Sequence, residues 1–243
     1  MISFAIVIPA YFEESTIRDV AKRALLQCDN VIVIDDGSSD NTSGVLQNLP
    51  LTLLRNETNM GKAASLWRGM QEALVSGVNG VITLDGDGQH RPEDIPKLIK
   101  LASENPDTII IGSRLHDRNS IPASRYRANR FANFWIAWAS GYPIEDSQSG
   151  FRFYPASLLN NIQLDTARDK SFVFESEILI EAGSREIRTK AVQIPAIYSE
   201  SMRPSHFQSV KDIMRITKMV AGRLFRKGMN LPGFYRVIIA KEK

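Results

Sequence analysis

Two carboxylates separated by one glycine are the residues of this sequence that most clearly suggest chemistry. They are Asp85 and Asp87 in LDGDGQHRPEDI, and they follow VNGVITL, a β-branched run typical of a buried strand. Two negative charges this close repel each other unless a cation or a hydrogen-bonding ligand lies between them. Oxygen ligands suit Mg²⁺ or Mn²⁺, and Mg²⁺ often uses one or two protein carboxylates together with substrate phosphates. Alone, the motif is equally compatible with a solvated turn whose aspartates cap a helix beginning near Pro92.

The segments around this pair alternate between strand and helix. Strands are predicted at 4–10, 30–36, 51–56, 80–85 and 108–114, with helices at 14–27, within SDNTSGVLQNL, at 61–77 and at 92–103. This alternation, with continuously apolar strands, predicts a parallel α/β sheet. Functional side chains in such sheets gather at the carboxyl ends of the strands. A polar rim is therefore expected there, formed by Glu13, Asp35, Asp36, Asp85, Asp87 and Arg114.

The alternation stops near residue 120. Beyond it the sequence predicts an aromatic-rich helix at 125–140, a loop and short strand at 146–154, an amphipathic helix at 172–184, a strand pair or one bent strand at 187–199, and a basic amphipathic helix at 209–227.

Composition excludes several classes of protein. The chain has 243 residues, 43% hydrophobic and 23% charged, which is ordinary for a globular protein of one large or two small domains. The net charge of +3 is only weak evidence for an anionic partner, and no nucleic acid is expected. Cys28 is the only cysteine, so no intrachain disulfide forms and a reducing compartment is favoured. No apolar run approaches the roughly 20 residues of a membrane span. The expected location is the cytoplasm, with peripheral contact at the inner face of the membrane.

Two common nucleotide sites are also excluded. The turn after the first strand, PAYFEES, lacks the glycines of a dinucleotide-binding fingerprint. NMGKAAS contains Gly61 and Lys62, but Ala63 replaces the Ser or Thr of a P-loop and no glycine lies at the required upstream spacing. What remains is a nucleotide site built from carboxylates.

Six segments in combination resemble a known family. IVIPAYFEES, VIVIDDGSSDNT, NMGKAASLWRGMQEA and LDGDGQHRPEDI are similar to the nucleotide-sugar half of family 2 glycosyltransferases of the GT-A fold. With DSQSGFRFY and FVFESEILIEA, the chain most resembles the polyprenol-phosphate sugar transferase branch, typified by dolichol-phosphate mannose synthase, over about residues 3–200. The resemblance implies an α/β fold with a mostly parallel central sheet flanked by helices. It places a catalytic domain at 1–200, with a nucleotide-sugar half at 1–115 and an acceptor half at 116–200, before a C-terminal basic helix and tail at 201–243.

The resemblance also implies roles on the donor side. The nucleotide-binding residues would be Pro9, Tyr11, Glu13, Asp36, Lys62 and Asp85. Pro9, Tyr11 and Glu13 would line the nucleoside pocket, while Asp36 would bond the base. Asp87 would ligate the Mg²⁺ or Mn²⁺ that bridges the diphosphate, with Gln89 as a further ligand. His90 is predicted to be a structural hydrogen-bonding residue rather than a base.

On the acceptor side, four arginines follow the fifth strand: Arg114, Arg125, Arg127 and Arg130. The resemblance favours Arg114 and Arg130 as a clamp for a lipid phosphate. Asp146 would face the acceptor with Gln148 nearby, and whether it acts as a base or only orients the acceptor stays open. Arg203 and Ser205 lie where relatives carry a loop that closes over the donor phosphates.

Two helices are candidates for lipid contact. Phe131, Phe134, Trp135 and Trp138 share one helical face, which is either core or an acyl-facing surface. The helix at 209–227 carries six basic residues beside an apolar stripe, a pattern typical of interfacial helices.

Together these features predict an inverting, metal-dependent glycosyltransferase that moves a sugar from a UDP- or GDP-linked donor to a polyprenyl-phosphate or similar lipid-linked anionic acceptor. One alternative is the same fold acting on a hydroxyl of a saccharide or lipid alcohol. A second is a sugar-phosphate nucleotidyltransferase, although PAYFEES lacks that class's glycine-rich loop. A third, a nucleotide-binding regulatory module, would be expected to lack the metal carboxylates.

Overall fold

Seven strands form a single sheet in this computed structural model, which describes residues 2–116, 118, 121–167, 173–197, 209–226 and 228–239. The strands are β1 (Phe4–Ala10), β2 (Val31–Asp35), β3 (Thr52–Arg55), β4 (Gly80–Thr83), β5 (Ile109–Ser113), β6 (Arg152–Pro155) and β7 (Thr189–Gln193). The helices are α1 (Ile17–Leu25), α2 (Lys62–Val75), α3 (Ile95–Glu104), α4 (Ala123–Ser140), α5 (Ala156–Leu159), α6 (Phe174–Ser184), α7 (Ser209–Arg226) and α8 (Leu231–Ile239).

The sheet is mostly parallel, as the sequence predicts. Its strand order is β3-β2-β1-β4-β6-β5-β7, and only β6 runs antiparallel to its neighbours. The carboxyl ends of β1, β2, β4 and β5 therefore share one edge, and the amino end of β6 reaches the same edge. The loops that follow those strands are brought together there.

Apolar cores cover both faces of the sheet because successive strand residues point to opposite sides. On β1, Ala5 and Val7 enter the core that includes residues of α2, α4 and α6, while Ile6 and Ile8 enter the core shared with α1 and α3. These side chains are completely buried. The strands are thus fixed from both faces, so the sheet is a rigid support for the loops at its carboxyl edge.

Three predictions of secondary structure differ from the structure. The helix expected in SDNTSGVLQNL is only a 3-10 turn, Gly44–Leu46, because the Asp40 side chain accepts hydrogen bonds from the backbone and hydroxyl of Thr42, which compete with helix formation. In the segment predicted as a strand pair or one bent strand, the described residues contain one strand, β7. Helix α6 is buried on nearly all sides rather than amphipathic.

The aromatic face of α4 is largely core. Trp138 is 8% exposed, its ring centroid lies 4.8 Å from that of Phe234 on α8, and its indole N–H donates to the Met229 carbonyl oxygen at 2.9 Å. Phe131, at the start of that face, is 53% exposed. Helices α7 and α8 cover the rest, with Val220 and Leu224 of α7 buried. The lipid-facing alternative for α4 is therefore wrong for most of its length.

Candidate active site

The Asp85–Asp87 loop leaves β4 at the carboxyl edge of the sheet and meets a lysine. Lys62, the first residue of α2, places its ammonium 2.7 Å from Asp85 and 3.4 Å from Glu175. Burial alone would lower the pKa of Lys62, but Asp85 and Glu175 hold it above its ordinary value. Burial would likewise raise the pKa of Asp85, and the Lys62 ammonium outweighs it, so the pKa of Asp85 is lowered. Lys62 and Asp85 are therefore both charged at neutral pH.

Asp87 is in a different electrostatic position. Burial and then the neighbouring charge of Asp85 raise the pKa of Asp87 to about 6. The backbone N–H of Gln89 donates to Asp87 Oδ1 at 2.9 Å, which compensates only part of that charge. Asp87 therefore carries negative charge that its surroundings do not balance, as expected of a cation ligand.

The donor set of this loop fits a hard divalent cation only in part. Within the residues that the structure describes, no three side chains of His, Cys, Asp or Glu gather closely enough to hold a metal ion. A cation at Asp87 would need further oxygens, such as those of a diphosphate, which is how Mg²⁺ is commonly held in phosphate-transfer sites. Gln89 is partly exposed beside it, and its role as a further ligand stays a prediction.

The turn after β1 is tied to this loop by hydrogen bonds. The Thr16 hydroxyl lies 2.8 Å from the carbonyl oxygen of Gly86 and 3.1 Å from Glu13 Oε2. From the other side, the Thr42 hydroxyl accepts from the backbone N–H of Glu13 at 2.9 Å. Pro9, Tyr11 and Glu13 are all partly exposed at the edge, so the structure brings the predicted nucleoside-pocket residues together.

Asp36, predicted to bond the base, is built into the protein. Its carboxylate accepts from the Asn56 amide at 2.7 Å and from the backbone N–H groups of Met60 and Gly61 at 2.9 and 2.8 Å. Gly37 beside it has a φ of +75°, and a Cβ there would lie 2.6 Å from the backbone of Thr58, so the 58–61 loop packs directly on this turn. Asp36 thus anchors the loop that starts α2, and a base would have to use its remaining acceptor capacity.

On the acceptor side, Asp146 is completely buried and paired. The backbone N–H and Nε of Arg114 donate to Asp146 Oδ2 at 3.1 and 3.3 Å, and the backbone N–H of Gln148 donates to Oδ1 at 3.3 Å. Asn133 of α4 holds this loop by accepting from the backbone N–H of Ser147 at 2.7 Å. Asp146 is therefore held against Arg114, and whether it acts as a base or only orients the acceptor is not decided by these contacts.

The two predicted clamp arginines occupy different settings. Arg114 is 11% exposed, and its positive charge acts on both Asp85 and Asp87, opposing part of the burial and charge repulsion that raise the pKa of Asp87. Arg130 is exposed and lines a separate cavity of about 600 Å³ with Asn133 and Glu145. Arg203 and Ser205 lie outside the described residues, and so does the side chain of Arg125.

His90 does not match its expected role. Its ring is buried 5.6 Å from that of Phe151, and neither ring nitrogen has a hydrogen-bond partner among the described residues. Burial, then the positive charge of Arg114, lowers the pKa of His90 to about 4, so the ring is neutral at pH 7.

Glu175 is a residue of this site that sequence reasoning missed. It lies in the first turn of α6, where an acidic residue is expected simply to complement the helix dipole. In the structure, Glu175 Oε2 contacts Lys62, while Oε1 is buried and has no hydrogen-bond partner in the described part of the chain. A Cβ on Gly150 would lie 2.8 Å from Asp85 Oδ2 and 3.0 Å from Glu175 Oε1, so only glycine lets the two carboxylates converge there. The glycine of DSQSGFRFY was the available signal.

Comparison with known proteins agrees with this geometry. Residues 5–162 match the family described as glycosyl transferase family 2. The chain is 30% identical over 216 residues to the UDP-N-acetylglucosamine–dolichyl-phosphate N-acetylglucosaminyltransferase of Methanococcus voltae, covering 80% of this chain and 86% of that protein. It is 25% identical over 206 residues to the polyprenol monophosphomannose synthase of Mycolicibacterium smegmatis, covering 80% and 77%.

The fold is also shared with a solved enzyme of the GT-A type. Glucosyl-3-phosphoglycerate synthase from Mycobacterium tuberculosis, in complex with Mn²⁺, UDP-glucose and phosphoglyceric acid, superposes with a TM-score of 0.68 at 19% identity, covering 94% of this chain and 80% of that one. The predicted GT-A fold is confirmed. None of the helices in the described residues is long and apolar enough to cross a bilayer. The chain belongs to glycosyl transferase family 2.

Proposed function

We propose that this enzyme transfers one sugar, with inversion, from a nucleoside-diphosphate donor to a polyprenyl phosphate or a similar lipid-linked anionic acceptor. Family membership sets aside the nucleotidyltransferase and regulatory alternatives. The similarity to two enzymes named for dolichyl-phosphate and polyprenol acceptors supports the lipid phosphate. Donor binding is assigned to residues 1–115 and acceptor binding to 116–200.

The hydrogen bonding of Asp146 is the observation that carries this proposal. A hydroxyl acceptor needs a base to remove its proton, whereas a lipid phosphate is already an anion and needs only cations to hold it. Two carboxylates of the acceptor half lie at the site. Glu175 contacts Lys62, whereas Asp146 lies where the resemblance places the acceptor, and both oxygens of Asp146 accept hydrogen bonds, from Arg114 and from Gln148. This pairing favours a role for Asp146 in orienting Arg114 toward an anion.

The donor side supplies the complementary charges. Bond cleavage builds negative charge on the departing nucleoside diphosphate, and a divalent cation held by Asp87, with Gln89, would neutralise it. Lys62 and Arg114 bring two further positive charges to the same carboxylate cluster. A unit charge about 4 Å away is worth roughly 4 kcal/mol at an effective dielectric near 20. Such an interaction accelerates transfer when it is stronger in the transition state than in the ground state.

A matched pair of acceptors tests this proposal. Purified enzyme is incubated with a panel of UDP- and GDP-sugars, with Mn²⁺ or Mg²⁺, and with a short-chain prenyl phosphate or the corresponding prenyl alcohol. Mass spectrometry should detect a glycosylated prenyl phosphate with one donor class and no glycosylated alcohol. Transfer to the alcohol alone would establish the hydroxyl-acceptor alternative instead.

A further inference from the structure

Helix α8 carries apolar side chains on two faces, and only one of these faces packs against the rest of the protein. Eight of its nine residues carry no charge, the exception being Arg236. Its inner face, with Gly233 and Val237, is buried against α4. A helix that is apolar all round is normally enclosed.

The outer face of α8 forms an apolar stripe. Leu231, Tyr235 and Ile239 follow one another at helical spacing and are 59%, 64% and 56% exposed, with Ile238 beside them at 36%. Phe225, near the end of α7, is 83% exposed, and Met229 in the turn between the two helices is 44% exposed. Of the eleven exposed large hydrophobic side chains in the described part of the chain, six lie between 225 and 239. Phe225, Met229, Leu231, Tyr235, Ile238 and Ile239 are called the α7–α8 patch below.

Positive charge accompanies this patch. From 213 to 241 the sequence has seven basic residues and no acidic one, and one of the seven, Arg223, pairs with Glu177 and Glu181 of α6. Lys218 is exposed on α7 two helical turns before Phe225, which puts both on the same face of that helix. Arg236 is exposed on α8. Exposed apolar side chains accompanied by cations are the pattern of a helix lying at an anionic lipid surface.

We propose that the α7–α8 patch is the surface by which this enzyme docks on an anionic lipid bilayer. Its apolar side chains would enter the boundary between head groups and acyl chains, while Lys218 and Arg236 would face the head-group charge. This assigns lipid contact to α8, not to the α4 aromatic face, which α8 covers.

The patch also adjoins the acceptor half of the enzyme. Val237, on the inner face of α8, lines the same cavity as Arg130, Phe134 and Ile144. A helix lying at the bilayer surface would thus line the same cavity as Arg130, the arginine that the resemblance assigns to the acceptor phosphate. The docking surface itself does not depend on the identity of the acceptor.

Vesicle flotation tests the proposal. Wild-type enzyme should float with vesicles of phosphatidylcholine and phosphatidylglycerol, and less with phosphatidylcholine alone. Tyr235→Ser with Ile239→Ser should weaken partitioning about tenfold or more, because each removes apolar surface from the interface. The matched control is Leu26→Ser with Val75→Ser, which removes side chains that are 80% and 83% exposed at the ends of α1 and α2, outside the patch, and should leave flotation unchanged. Lys218→Glu should lower the salt concentration at which the enzyme is released from the anionic vesicles, and it should weaken partitioning less than the apolar pair does.

Two results would overturn the docking surface. One is absence of flotation at every ionic strength; the other is equal loss in the patch and control variants. If instead the wild type were a dimer in light scattering and Tyr235→Ser with Ile239→Ser made it monomeric without vesicle binding, the patch would be an interface between two copies. Transfer to a detergent-dispersed short prenyl phosphate separates this test from the proposed function, because patch variants should retain it even where flotation is lost.

Discussion

The loops after β2 and β4 both place a carboxylate at the carboxyl edge of the sheet, yet they treat its charge in opposite ways. Asp36, 3% exposed, accepts three hydrogen bonds from Asn56, Met60 and Gly61. Asp87 receives one, from Gln89, and its pKa is raised to about 6 by burial and by Asp85. A carboxylate that the protein satisfies itself stabilises the fold, whereas one left with uncompensated charge is available to a ligand. Asp146 resembles Asp36, because both of its oxygens accept hydrogen bonds from the protein. Glu175 Oε1 resembles Asp87, because it has no hydrogen-bond partner among the described residues.

The largest effect is expected where a satisfied carboxylate loses its cation. Arg114→Ala leaves buried Asp146 without its ion pair and should lower the free energy of unfolding by about 3–5 kcal/mol. Urea denaturation followed by circular dichroism measures this. Arg130→Ala is the matched variant, because its exposed side chain should change stability by no more than about 0.5 kcal/mol while raising the KM for the acceptor. Equal stability losses would mean that Asp146 does not depend on Arg114.

The next largest loss of stability is expected when Asp36 can no longer accept its three hydrogen bonds. Asp36→Asn replaces an acceptor oxygen by an N–H₂ group facing donors and should cost about 2–4 kcal/mol of stability. Asp29→Asn, on an exposed aspartate, provides the comparison and should be nearly neutral. If Asp36→Asn unfolded at the wild-type urea midpoint but lost nucleotide affinity, Asp36 would be a ligand for the base and not an anchor.

Substitution of Glu175 tests the same comparison of carboxylates through the rate of sugar transfer. Glu175→Gln removes the charge that helps to hold Lys62 beside Asp85, and kcat/KM for the donor should fall about 10- to 100-fold, equivalent to roughly 1.4–2.7 kcal/mol. Steady-state kinetics with varied donor concentration measure the loss, and Glu104→Gln, an exposed residue at the end of α3, should behave as wild type. Wild-type kinetics for both variants would confine Glu175 to a structural role.

Substitution of Asp87 should increase the free energy of unfolding, whereas substitution of Asp36 should decrease it. Its pKa rises from 3.8 to about 6 on folding, so the folded protein holds a proton that the unfolded chain releases between those values. The stabilisation is complete below pH 3.8 and is lost as the pH rises through about 6. The Asp87→Asn side chain stays neutral at every pH, so the metal-free variant should be about 1–3 kcal/mol more stable than wild type at pH 7. The two free energies of unfolding should become equal at low pH. Thermal unfolding from pH 4 to 8 in chelator provides the measurement, and a less stable variant at pH 7 would contradict the assignment.

Local patterns predicted most of the elements between residues 4 and 115 well because those elements depend on nearby residues. Continuous apolar runs gave β1 to β5, and side chains directly after strands formed the expected rim. The missing helix in SDNTSGVLQNL has a local cause, the hydrogen bonds from Thr42 to Asp40, whereas the two failures described next depend on distant contacts. Glu175 meets Lys62 across 113 positions of sequence, so helical spacing alone could only suggest a charged helix start. Trp138 is covered by α8 and by the turn before it, where Met229 lies 91 residues further along the chain. The sequence alone therefore could not decide between core and surface for the α4 stripe.

The binding of a nucleoside diphosphate with and without metal tests most directly that Asp87 holds charge for a ligand. Isothermal titration calorimetry with UDP and GDP, in Mn²⁺ and in chelator, should give at least about 100-fold tighter binding with Mn²⁺ for one of the two nucleotides, equivalent to roughly 2.7 kcal/mol. In Asp87→Asn the metal-dependent increase should disappear while the variant remains folded. Equal affinity of the wild type in Mn²⁺ and in chelator, for both nucleotides, would contradict the account.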